Sequence, residues 1–286
     1  MYPEGAGAGA EPADYGGGSM GSKVGVHLEG LIPLILIIII VFFGAVQFGI
    51  INSSTPVIGS IADLIGGGGE PASMLLIGNS SQEVRDVLNE SKTLVKYRIK
   101  TADDLARNPV EQLAQYDIVM LDQSQESDKT VSYELGEAIK NYVSSGGKLI
   151  VVLNSGIMRK GAYDVLGWKA TFGDVVPVDC DRTVDNRPVC TQTIAVRGRI
   201  YSEDDKHAIM KGFEVAPAQP DQVFVLETLD VTPTGKELAY IKDEFGRTPS
   251  YPAIVEKPLV MGKSIYFNYN PGKTKGILQA TLRYLK

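Results

Sequence analysis

Tyr116-Asp-Ile-Val-Met-Leu-Asp122 and, beyond a helical interval, Gly146-Gly-Lys-Leu-Ile-Val-Val-Leu-Asn154 decide the fold. The first is an apolar run that ends in a carboxylate. From Thr130 onward Val131, Leu135, Ala138, Ile139, Tyr142 and Val143 recur at three- and four-residue steps, which lays one apolar stripe along a helix. Gly146-Gly147 ends that helix, because glycine enters the left-handed closing conformation without a Cβ clash. The strand after it is apolar without alternation, as a parallel strand covered on both faces requires. Tyr116 to Gly156 therefore predicts a βαβ unit and an α/β fold.

Working outward, Ser73-Met-Leu-Leu-Ile77 reads as a strand, and Ser81 as the cap of a helix carrying Val84, Val87 and Leu88. Leu94 to Ile99 alternates with outward lysines and arginine, the pattern of a sheet edge. A second helix spans Asp103 to Gln115 with an interruption at Pro109, and a short one lies around Tyr163 to Leu166. Val175 to Ile200, rich in Val, Thr and Asp, predicts a β-ribbon inserted in or appended to the sheet. Gln222–Leu226, Glu237–Ile241, Ala253–Lys257 and Ser264–Tyr269 read as further strands, and Ile277, Leu278, Leu282 and Leu285 mark a closing helix.

The region before the domain has another character. Residues 1–27 form a Gly/Ala-rich tail that cannot bury enough apolar surface to offset its ordering entropy, so disorder is expected. Residues 28–52 include Leu31-Ile-Pro-Leu-Ile-Leu-Ile-Ile-Ile-Ile-Val-Phe-Phe43, with no charge between Glu29 and Asp63. That length matches a bilayer's hydrocarbon core, and insertion is favoured by about 5 to 9 kcal/mol. A single transmembrane helix is expected. Lys23 before the span, against Asp63 and Glu70 after it, places the N-terminus in the cytoplasm and the C-terminal domain outside it at the plasma membrane. Residues 53–71 read as a juxtamembrane segment, either a surface helix or a connector, ending in the Gly66–Gly69 hinge, and 72–286 as the folded domain.

A net charge of -6, with no Lys/Arg cluster, excludes nucleic acid as a partner, because phosphate neutralisation needs dense positive charge. The lipid bilayer and protein partners in the envelope, a homo-oligomer included, are the partners expected. Cys180 and Cys190 flank turn formers in a polar segment, a spacing that suits a disulfide across a loop in an oxidising compartment. No further Cys or His lies near enough in sequence to complete a zinc site, and neither metal nor cofactor is expected.

Tyr116-Asp-Ile-Val-Met-Leu, the helix after it and Gly146-Gly-Lys-Leu-Ile-Val-Val-Leu together resemble the class I glutamine amidotransferase-like superfamily, in particular its ThuA-like and gliding-motility ABC-auxiliary branches. Asp205-Lys-His-Ala-Ile-Met-Lys-Gly212 is similar to that family's His-Pro-Ile-X-X-Gly segment, with Ala208 replacing proline. Pro252 to Phe267 is similar to its last paired strands. The resemblance covers Ser73 to the C-terminus and implies a flavodoxin-like layered sheet. Its chemistry does not follow, because the turn that carries the family's nucleophilic cysteine reads Asn154-Ser155-Gly156 here.

Ligands of open α/β sheets collect where strands end and helices begin. The groups there are Asn79, Ser80, Asp122 and Asn154, read as candidate ligand-binding residues or as caps and turn closers. Asp122, Ser155 and His207 form the one nucleophile, base and acid triple that can be assembled. Asp179, Asp181 and Asp185 lack the loop spacing of a calcium site and read as solvated acids. The expected function is a non-catalytic, membrane-anchored binding or scaffold module in an envelope complex. The alternatives are a hydrolase or carbohydrate-active enzyme using the crevice at the strand ends, and an auxiliary transporter subunit.

Overall fold

β1 (Ala72–Ile77) carries four consecutive buried side chains, Met74 to Ile77, and the chain leaves it through Gly78. The computed structural model that shows this describes residues 70–161, 166–184 and 187–286. Ser81 caps α1 (Gln82–Glu90), its hydroxyl accepting from Val84 N at 3.2 Å. β2 (Val95–Lys100) lies parallel to β1 at the sheet's edge. α2 (Pro109–Leu113) starts on its proline, which needs no donor in a first turn, so this helix is shorter than the sequence pattern predicts. β3 (Ile118–Leu121) follows. α3 (Tyr133–Ser144), capped by Ser132, leads to β4 (Lys148–Val152), parallel to β3. The strand, helix and strand between Tyr116 and Gly156 are thus present.

α4 (Trp168–Phe172) comes next, with the buried Trp168 edge-on to Tyr266. The rest of the large sheet is β5 (Ile194–Ser202), β6 (Val215–Ala216), β7 (Phe224–Thr228), β8 (Lys236–Asp243), β9 (Tyr251–Pro258) and β10 (Lys263–Phe267), and α5 (Lys275–Leu285) closes the chain. The spatial order is β6-β5-β8-β9-β10-β4-β3-β1-β2, with β7 also on β5. α1 packs on α5, whereas α3 packs on α2 and α4. Right-handed crossovers put those two groups on opposite faces, which is why the central strands are apolar throughout.

Three expectations are corrected. The sheet is not the flavodoxin-like parallel layer with an added ribbon. Only β2, β1, β3, β4 and β10 are parallel, and the other half is antiparallel. The reason is connection length: β9 and β10 are joined by a tight turn, closed by Leu259 N donating to Gly262 O at 2.9 Å, and a parallel return would need a long crossover. Second, Val175 to Ile200 does not form one long ribbon. It holds a small hairpin of Thr183–Val184 with Arg187–Pro188, and only its last part, β5, joins the sheet. Cys180 and Cys190, on either side of that hairpin, are joined in a disulfide.

Third, the membrane architecture is not part of this structure. The tail 1–27, the span 28–52 and nearly all of segment 53–71 lie outside the described residues, as do 162–165 of the short helix. Among the described residues no helix is long and apolar enough to cross a membrane. The single-pass anchor and the extracytoplasmic placement drawn from it are therefore withdrawn.

Candidate functional site

The exits of β1, β3, β4 and β10 lie side by side at one end of the sheet. Gly78 makes this possible: it sits at φ +99°, and a Cβ there would stand 2.7 Å from the carbonyl oxygen of Asp122. Ser81 Oγ donates to Asn270 Oδ1 at 3.0 Å, tying the start of α1 to the loop after β10. The same Oδ1 accepts from Gly272 N at 3.0 Å. Glu83 is clamped from the same loop, by Asn270 Nδ2 at 2.5 Å and Lys273 Nζ at 2.8 Å.

β7 supplies the facing wall. Asn268 holds the residue after it, accepting from Leu229 N at 3.0 Å and donating to Leu229 O at 2.8 Å. The cleft has a volume of about 360 Å³ and is bordered by Ser81, Glu83, Ser124, Gln125, Glu227, Asn270 and Lys273, with Leu153, Val225 and Leu226 as its apolar contribution. Leu153 adopts φ +50°, a left-handed conformation that costs a non-glycine residue about 1 kcal/mol or more.

Asp122 directly follows β3, two residues before Ser124 of the cleft. Its side chain is fully buried, Oδ1 accepts from Ser124 N at 2.9 Å, and Oδ2 has no hydrogen-bond partner. Burial pushes its pKa up to about 6, against the opposing hydrogen bonds of Ser124 and the charge of Lys129. Burial in turn lowers the pKa of Lys129, against the pull of Asp122, Glu126 and Glu227, and its ammonium donates to Gln123 O. Ser80 Oγ and Thr228 Oγ1 are likewise buried and unpartnered. These three orphans stand at the exits of strands β1, β3 and β7, whereas the fourth among the described residues, Ser202 Oγ, lies at the end of β5. Buried polar atoms are ordinarily paired, so their concentration here marks this end of the sheet as one suited to a polar guest.

The residues expected from sequence fall close to the cleft without bordering it. Asn79 is exposed, with Oδ1 accepting from Arg85 Nη1 at 3.1 Å, and Asn154 closes a turn through its carbonyl, which accepts from Ile157 N at 3.2 Å. Their neighbours Ser81, Ser124 and Leu153 reach the cleft instead. Asp122, Ser155 and His207 do not assemble. Ser155 is buried and its Oγ accepts from Gln123 N at 2.8 Å. His207 Nε2 stands 3.0 Å from Glu256 Oε2, beside Tyr284 near the far end of α5, a helix that begins at the cleft and runs away from it. Glu83, Glu227, Asn270 and Lys273 escaped sequence reasoning. Asn270-Pro-Gly272 is a turn signal and Glu83 complements a helix dipole, and neither pattern speaks of a ligand. Among the described residues no cluster of three or more His, Cys, Asp or Glu could hold a metal ion.

No protein-family model matches the chain, and no curated protein does. Solved structures do. A β-galactosidase from Bacillus circulans sp. alkalophilus is similar at 14% identity and a TM-score of 0.50, over 74% of this chain and 30% of that one. A β-galactosidase from Rahnella sp. R3 gives 14% identity and a TM-score of 0.46, over 75% of this chain and 31% of that one. A carbohydrate deacetylase gives 9% and 0.44, over 75% of this chain and 32% of that one. The chain thus spans about a third of the length of each. The fold shared with the Bacillus circulans β-galactosidase corrects the expected kinship with a non-catalytic amidotransferase-like domain: that resemblance rested on strand and turn patterns that many layered sheets share.

Proposed function

We propose that the cleft at the exits of β1, β3 and β10 takes a carbohydrate and that the domain is carbohydrate-active there. One observation carries this reading: a cavity of about 360 Å³, of the size of a sugar ring with its water shell, is bordered by two carboxylates, two hydroxyls, two amides and the Lys273 ammonium. Such groups donate and accept in the mixed pattern that sugar hydroxyls need. The fold supports the reading in a limited way, since it recurs over about a third of a β-galactosidase. A scaffold role has no comparable support.

Hydrolysis is the finer reading. It is favoured by the two carboxylates that border the cleft, Glu83 and Glu227. Glycoside hydrolysis runs on such a pair, one protonated and one ionised. The test is calorimetric titration of the whole protein with galactosides, mannosides and N-acetylated oligosaccharides, followed by Glu227→Gln. Saturable binding that Glu227→Gln weakens tenfold or more supports the carbohydrate reading, and no binding across the panel ends it. Release of chromophore from aryl glycosides, lost in Glu83→Gln, separates hydrolysis from binding.

A further inference from the structure

One face of the antiparallel half carries a cluster of cations held over aromatic rings. Tyr201 on β5 and Tyr240 on β8 are register partners, and their rings stack with centroids 5.6 Å apart, 16° from parallel. Arg199 and Lys242 are register partners too, and each places its charge 5.8 Å from the centre of the Tyr201 ring. Just beyond β8, the exposed ring of Phe245 gathers two guanidinium groups, that of Arg197 at 5.1 Å and that of Arg247 at 5.7 Å. Asp243 fixes this turn, its carboxylate accepting from the backbone N–H groups of Phe245, Arg247 and Thr248 at 2.8, 2.9 and 3.1 Å.

The arrangement works against the fold. Like charges directly opposite on neighbouring strands repel, so Arg199 against Lys242 costs stability. No counter-charge relieves it: among the described residues lysines such as Lys236 and Lys273 form ion pairs, whereas Arg197, Arg199, Lys242 and Arg247 form none. Glu244, the carboxylate beside them, accepts from the Tyr201 hydroxyl at 2.5 Å. Four such cations over two rings, in a chain of net charge -6, make a surface complementary to a polyanion. Cation–π attraction keeps them in place, and a guanidinium held over a ring keeps its planar fork of N–H groups for a carboxylate. Because its members come from two strands and a turn, the cluster leaves no Lys/Arg run in the sequence.

The kind of polyanion follows from the surroundings. A peptide would dock by adding a strand, but β5 and β8 already spend their backbone groups on β6, β7, β9 and each other. Nucleic-acid bases need open ring faces, and here Tyr240 and the cations occupy those of Tyr201 while guanidinium groups lie over Phe245. Arg197, by contrast, is the register partner of Val225, which borders the cleft, and opposite residues of an antiparallel pair share one face. We infer that this face holds an acidic polysaccharide, with uronate carboxylates against Arg197, Arg199, Lys242 and Arg247. The inference rests on the carbohydrate reading of the cleft and adds the charge of the polymer and a surface for it outside the cleft.

The experiment is calorimetric titration of the full chain with oligogalacturonate and with neutral galacto-oligosaccharide of the same length. The uronate is expected to bind more tightly, and its affinity to fall as salt rises, because exposed charges are screened. Lys242→Gln together with Arg247→Gln takes one cation from each ring and should weaken uronate binding about tenfold or more. Thermal unfolding should find this double variant as stable as the parent or more so, since it also relieves the repulsion with Arg199. Binding insensitive to salt, an affinity that survives the double variant, or a loss of binding matched by a loss of folding overturns the inference. So does poly-glutamate or a single-stranded oligonucleotide bound as tightly as the uronate. If neutral glycosides bind and the uronate gains nothing over them, the inference falls and the carbohydrate reading stands. Uronate binding that the double variant abolishes, with no neutral glycoside bound, upholds this face and ends the reading of the cleft.

Discussion

Ser81 Oγ donates to Asn270 Oδ1 at 3.0 Å, and these residues, 189 apart in the chain, close the cleft between the start of α1 and the exit of β10. Ser81 would cap α1 without Asn270, and Asn270 would turn the loop without Ser81. Their meeting also brings Glu83 and Lys273 together.

Asn270→Ala removes an acceptor shared by Ser81 and Gly272 and a donor to Glu83. A loss of about 1 to 3 kcal/mol is expected in urea unfolding, since these groups are only partly shielded from water. Glycoside affinity should fall more steeply than stability. Unfolding curves and titrations on one preparation check both.

Asp122→Asn should change the pH dependence of stability. The native carboxyl titrates at about 6 against an ordinary 3.8, because burial disfavours the anion. The folded state therefore holds this proton more tightly than the unfolded chain. That contribution is fully present below about pH 4, is lost as pH rises to about 6, and amounts to about 3 kcal/mol. The asparagine keeps the acceptor for Ser124 and has no proton to lose. Relative to the parent, the variant should gain stability at pH 7 to 8 and not at pH 4, as measured by thermal unfolding across that range.

His207→Ala is expected to destabilise the fold and spare the cleft. Burial raises the pKa of Glu256, but hydrogen bonds from His207 and Tyr284 outweigh it and hold the carboxyl below its ordinary range. A carboxylate so lowered stabilises the fold above its unfolded pKa, and that support is lost as pH falls through the folded value. Removing His207 leaves Oε2 of a nearly buried anion without its 3.0 Å partner, at a cost of about 3 kcal/mol at pH 7 that shrinks in acid. Unchanged glycoside affinity would accord with the distance between the two sites; a large change would not.

Reduction of the Cys180–Cys190 disulfide frees a loop with a sequence separation of 10. Loop-closure entropy puts the loss at about 3 kcal/mol. The local hairpin at Thr183–Pro188 should respond first, which hydrogen exchange with and without reductant would reveal.

Much of the parallel half was legible, because each of its elements is specified by its own residues. Apolar runs without alternation, the stripe of α3, the serine caps and the glycine stop are all local patterns. Pro109 was read as an interruption and turned out to be a start, since both readings follow from its missing N–H. The antiparallel half was legible as strands but not as pairings: nothing within β5 says that it bonds both β7 and β8. The sequence points to Asn79, Ser80, Asp122 and Asn154, whereas the candidate cleft is bordered by Ser81, Ser124 and Leu153, because a strand's end shows where side chains gather and not which of them turns inward.

By itself the sequence determined the α/β elements around Tyr116 to Gly156, the disulfide and the end of the sheet at which polar groups collect. Only the tertiary structure decided that the sheet is half antiparallel, that Ser155 and His207 stand apart, and that Glu83, Glu227 and Asn270 share one cleft. The physical reason is range: caps, turns and periodicity act within a few residues, whereas a cleft is made by side chains that meet only after the crossovers have packed.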